Sequence, residues 1–140
     1  MLRLRRENVL IRDDKGYASG CIADITPSER FKNTLDVIIK ADGTQGKITM
    51  HVFPSIVISN RMDDQGNRNL MTTLCLKLGL FNEDDLIADK IDFDSLNDSL
   101  QGMLGSEIKF KTIKARSKDK DNKKATNLET IDVSSIRLNN

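Results

Sequence analysis

Alternation of apolar and polar residues at period two restricts this chain more than any other feature, because only a strand with one buried face satisfies it. In "NTLDVIIKADG", Leu35, Val37 and Ile39 alternate with Thr34, Asp36 and Lys40, and Ile38 is the one exception. The turn pair Asp42-Gly43 closes that segment. "GKITMHVFP" repeats the pattern, setting Ile48, Met50 and Val52 against Lys47, Thr49, His51 and Phe53, and Pro54 ends it. Ahead of both, "GYASGCIADITP" (16–27) reads as a first strand that bends or bulges at Gly20 and stops at Pro27. Three strands joined by short turns predict a meander.

The period then changes. "NLMTTLCLKLGL" places Leu70, Leu74, Lys77 and Leu78 at helical spacing, with Met71 and Cys75 beside them and Gly79 as the cap. "DSLNDSLQGMLG" predicts further helical turns through Leu96, Leu100 and Leu104. After Gly105, "SEIKFKTIKAR" alternates again, Ile108, Phe110 and Thr112 against Lys109, Lys111 and Ile113, a strand with a basic outer face. The polar loop 117–125 leads to a last strand in "TNLETIDVSSIRL". Ile131 and Val133 there share one parity, and Ile136 and Leu138 the other, which predicts a bulge at Ser134-Ser135.

Three strands, a helical connector and a two-stranded hairpin are the element order of the OB-fold. The expected fold is therefore mainly β: a five-stranded OB-fold barrel with a helical connector between strands 3 and 4. A helix packed on an open antiparallel sheet is the alternative the pattern allows. Residues 1–140 read as one such domain, with a basic N-terminal segment (1–15) and a lysine-rich hairpin loop (117–125). In this fold Leu35, Val37, Ile39, Ile48, Met50, Val52, Ile108 and Phe110 are expected inside, and Lys109 and Lys111 outside.

Composition removes several function classes. With 38% hydrophobic and 31% charged residues the chain is of ordinary globular type, and no apolar run approaches the length of a membrane span. The opening "MLRLRRENVLIRDD" is basic but lacks the apolar core of a signal peptide, so the expected location is the cytoplasm. Cys21 and Cys75 are far apart among apolar neighbours, as small buried thiols would be. "ADGTQGKIT" lacks the first glycine and the terminal Ser/Thr of a phosphate-binding loop and precedes a strand. "DFDSLND" lacks the glycine of a calcium loop, and its acids read as a solvated helix approach with capping roles. His51 is the only histidine, with no cysteine near it in sequence, so neither a zinc site nor a nucleophile triad is supported. The expectation is no enzyme, no metal and no cofactor; a nuclease built from carboxylates alone is the enzyme class left open.

Charge points to binding instead. The net charge of +1 hides an acidic block at 82–98 and a basic one at 109–124. On an OB frame, ligands cross strands 2 and 3 and touch the loops joining strands 1–2 and 4–5. The first of those loops carries Arg30, Phe31 and Lys32, and the outward parity of strands 2 and 3 shows Lys40, Lys47, His51 and Phe53. Strand 4 and the last loop add Lys109, Lys111, Arg116, Lys118, Lys120, Lys123 and Lys124. Cations for phosphates and aromatic faces for bases are the combination that single-strand binders use. Phe31 and Phe53 are the stacking candidates, Phe110 is assigned to the core, Phe81 and Phe93 to anchoring the acidic connector, and Tyr17 to either side.

The layout "GYASGCIADITPSERFKNTLDVII", a leucine-rich central helix and "LQGMLGSEIKFKTIKARSKDKDNKKATNLETIDV" resembles the small OB-fold single-stranded-DNA-binding proteins of bacteriophage replication and recombination modules. The likeness runs from Gly16 onward over about 120 residues; its most specific part is Leu100, Gly102 and Asn127 around a charged hairpin. It implies largely sequence-independent binding of single-stranded DNA in the cytoplasm of a bacterial host. It also implies replication or recombination proteins as partners, a homo-oligomer with a dimer favoured, and no membrane. Few aromatics depart from the better-known cellular members. Two other readings compete: an adaptor that docks a basic partner through segment 82–98, and an RNA-binding OB domain.

Overall fold

Leu35, Val37, Ile39 and Ala41 form an unbroken inward set and are all buried, which makes β2 (Leu35–Gly43) the reference strand of the molecule. The computed structural model describes residues 7–88, 91, 93–115 and 128–139. Around β2 lie β1 (Ala18–Pro27), β3 (Gly46–Val52), β4 (Glu107–Ala115) and β5 (Leu128–Leu138). Between β3 and β4 run α1 (Leu70–Lys77), α2 (Glu83–Ile87) and α3 (Phe93–Gln101). The protein is mainly β: the strands form one antiparallel five-stranded sheet in the order β3-β2-β1-β4-β5.

The expected barrel closure is not present. Among the described residues β3 and β5 come near one another but share no hydrogen-bonded register, so both are edges. β3 has only seven residues, and Pro54, without an N–H to donate, follows just beyond its end. β1 joins the two halves of the sheet. Its register against β2 slips between Ile22 and Asp24; its first half also pairs with β4, from Ala18 opposite Phe110 to Cys21 opposite Glu107. The bulge expected at Gly20 thus sits at Ala23. Gly20 serves a different end: a Cβ there would lie 2.7 Å from the Lys40 carbonyl oxygen, so glycine permits the close approach of β1 and β2. The second bulge is where parity placed it. Lys111 pairs with Asp132 and Lys109 with Arg137, leaving 133–136 opposite Phe110. That excess lets Ile131, Val133 and Ile136 all face inward.

α1 and α3 supply the helical part of the core against the inward face. α1 begins at Asn69, whose side chain accepts from Thr72 N–H at 2.9 Å, and buries Met71, Leu74, Cys75 and Leu78. Leu70 is instead 41% exposed, because the buried stripe starts one residue later. Gly79, at φ 73°, ends the helix in the left-handed conformation. Asn82 caps α2 in a reciprocal pair with Asp85. α3 buries Leu96 and Leu100, while Leu104 falls beyond its end and is exposed. Gln101 Nε2 donates to Ile25 O at 2.9 Å and ties α3 to β1.

Of the expected core, Leu35, Val37, Ile39, Val52, Ile108 and Phe110 are buried, but Ile48 and Met50 are only half-buried because they lie on an edge strand. Cys75 is buried, and burial pushes its thiol up to about 12. Cys21 is a correction: it lies on the outward parity of β1, opposite Lys40, and is half-buried. Among the described residues no helix is long and apolar enough to cross a membrane.

Candidate nucleic-acid interface

The outward face of the sheet gathers the nominated residues at one end first. The β1–β2 loop is held by Ser28, whose Oγ accepts from the N–H groups of Arg30 at 3.2 Å and Phe31 at 3.0 Å. Ser28 N–H in turn donates to Thr34 O at 2.8 Å, and Ile56 N–H to Asn33 O at 2.9 Å, so the loop is clamped to the segment after β3. Asn33, at φ 53°, makes the left-handed corner. This frame leaves Phe31 44% exposed, with its ring 5.4 Å from Phe53 in an edge-on arrangement of 71°. Phe53 in turn stacks on His51 at 5.7 Å and 6°. The Arg30 guanidinium stands 5.3 Å from the Phe31 centroid, and His51 Nδ1 is 2.8 Å from Asp36 Oδ1. Four of the nominated side chains therefore form one contiguous cluster.

From that cluster a line of cations runs across the sheet. Lys40 is half-buried, and its ammonium donates to Thr49 Oγ1 at 2.5 Å. Lys47 is exposed but paired with Asp42, whose hydrogen bond holds the Lys47 ammonium above its ordinary pKa. Lys109, expected to be exposed, is half-buried because it sits between Ser19 of β1 and Arg137 of β5. Lys111 is exposed, and its ammonium stands 5.0 Å from the Tyr17 ring.

Lys32 does not join the cluster. It is exposed and lines a concavity with Ile56 and Gln101 that Phe31 also borders. Arg116, Lys118, Lys120, Lys123 and Lys124 lie outside the described residues, as do Arg3, Arg5, Arg6, Asn127 and the middle of the acidic block (89, 90 and 92). Phe81 packs against the core as expected of an anchor; the Phe93 side chain is outside the described residues.

Two further outward residues were not among the nominated ones. Tyr17 stands on the outward face, and Arg137 approaches its ring to 5.0 Å. The signal for Arg137 was present, since the parity change at Ser134-Ser135 turns it outward, opposite Lys109. Asp24, Asp36, Asp42 and Glu107 share this face, so its field is mixed rather than uniformly positive. Among the described residues no three His, Cys, Asp or Glu side chains come together as metal ligands would.

Comparison with protein-family models, with curated proteins and with solved structures gives no match.

Proposed function

We propose that this protein binds single-stranded DNA without catalysis and largely without regard to sequence, on an OB-type scaffold of the kind used in phage replication and recombination. The carrying observation is that Arg30, Phe31, His51 and Phe53, far apart in sequence, meet on the same sheet face as Lys40, Lys109 and Lys111. Aromatic faces take bases and cations take phosphates, neither of which requires a particular sequence. The strand order supports the scaffold. A five-stranded barrel in which β1 pairs with both β2 and β4, opened between β3 and β5, gives β3-β2-β1-β4-β5.

Fluorescent oligo-dT titrated at two salt concentrations tests the reading. The expected result is binding that weakens as salt rises, because each phosphate contact releases counterions. Absence of binding at both concentrations contradicts it and returns the acidic segment 82–98, as a docking surface, to first place. Equal competition by oligo-U widens the ligand to RNA.

A further inference from the structure

At the opposite end of the same face lies a concavity that the aromatic cluster does not reach. It measures about 450 Å³, and its walls include Tyr17, Ser19, Lys109, Lys47, Arg12 and Asp13. That volume is within the range of small-ligand sites. Most of its charges are already matched. Arg12 pairs with Glu129 at 2.7 Å, Lys47 with Asp42, and Asp13 Oδ1 accepts from Lys15 N–H and Tyr17 N–H, each at 2.9 Å. The Tyr17 bond leads in holding the Asp13 carboxyl below its usual range, so the turn that positions Tyr17 has an ionised anchor at neutral pH. Lys109 enters no salt bridge among the described residues. Lys111 and Arg137 stand over the Tyr17 ring from outside the concavity.

We infer that the Tyr17 concavity is a second station for a nucleotide of the same strand, with Tyr17 stacking on the base and Lys109, Lys111 and Arg137 facing its phosphates. This rests on the single-strand reading above and adds a length requirement to it. Measured along β2, Phe53 lies level with Asp36, and Tyr17 lies near the level of Gly43. About seven residues at about 3.3 Å each separate the stations by roughly 23 Å. At about 3.4 Å per stacked nucleotide, roughly seven nucleotides span that gap, and fewer do when the strand is extended. Oligomers shorter than about four nucleotides reach one station only.

The chain carries its own reporter, since Tyr17 is the single tyrosine and there is no tryptophan. An oligo-dT series from about three to about twelve nucleotides is titrated while tyrosine emission and the anisotropy of a labelled oligomer are followed. The expected result is a step in affinity between about four and seven nucleotides, with quenching of Tyr17 emission beginning at that step. Tyr17→Leu removes the step, costing about 5- to 150-fold on long oligomers, whereas Tyr17→Phe, which keeps the ring, retains it. Long oligomers that bind with Tyr17 emission unchanged and no step with length overturn the second station and leave the first reading standing. No binding of any length overturns both.

Discussion

The two faces of the sheet share five backbones and carry opposite chemistry. Inward, Ile22, Val37, Ile39, Ile108 and Phe110 are each exposed by 1% or less, with α1 and α3 supplying further apolar cover. Outward, the same strands show Lys40, Thr49, His51, Lys109 and Lys111, with aromatic rings at the two ends. One face holds the fold. The other keeps the Phe31 ring 44% exposed and, among the described residues, leaves Lys109 outside any salt bridge. The difference predicts that substitutions on the two faces separate cleanly, the inward ones acting on stability and the outward ones on binding.

The largest effect belongs inside. Phe110→Ala is expected to cost about 3–5 kcal/mol of stability through lost burial and a cavity, read from urea unfolding, while protein that remains folded still binds oligo-dT normally. Unchanged stability breaks the comparison. Next come the rings: Phe31→Ala or Phe53→Ala is expected to weaken single-strand binding by about 1–3 kcal/mol with much smaller change in the unfolding midpoint. Early melting at unchanged affinity transfers that phenylalanine to the packing face.

The thiols sharpen the comparison without altering the fold. With Cys75 buried and its thiol pushed up to about 12, a thiol reagent is expected to label Cys21 alone in the native protein and both cysteines after unfolding. Bound oligo-dT should slow the labelling of Cys21, which lies between Lys40 and Glu107 on the outward face. Two thiols labelled at equal native rates contradict the assignment. The smallest effect concerns a single surface charge. Asp42→Asn frees Lys47 and is expected to tighten binding slightly at low salt and leave it unchanged at high salt.

β2 was legible in the sequence because its inward set is unbroken over four positions, and so was the β5 bulge, where the apolar residues change parity across Ser134-Ser135. The β1 bulge was not. Gly20 drew the reading, yet the slip falls at Ala23, which carries no local mark, and the glycine answers a backbone contact from β2 that is 20 residues away. Cys21 was placed inside and Tyr17 left to either side for the same reason, since their side depends on where β1 bends. Nor did residues 7–12 show any period. They are held by isolated bridges, Leu10 with Gly43 and Arg12 with Ala18, and by the Asn8 side chain, which accepts from Gln45 N–H at 2.8 Å. Of the candidate interface, the Phe31–Phe53–His51 cluster followed from parity and loop position. Lys32 did not: among the described residues it has no ring contact there, and it lines a concavity with Ile56 and Gln101.

The most direct test of an outward binding face is the salt dependence of oligo-dT affinity for the native chain and for a Lys40/Lys109/Lys111→Ala variant. Each single-strand phosphate contact contributes about 0.7 to the slope of log affinity against log salt, so the variant's slope is expected to fall by about 2 with stability little changed. A variant that keeps both the affinity and the slope of the native protein contradicts the account, for then the strand does not cross this face.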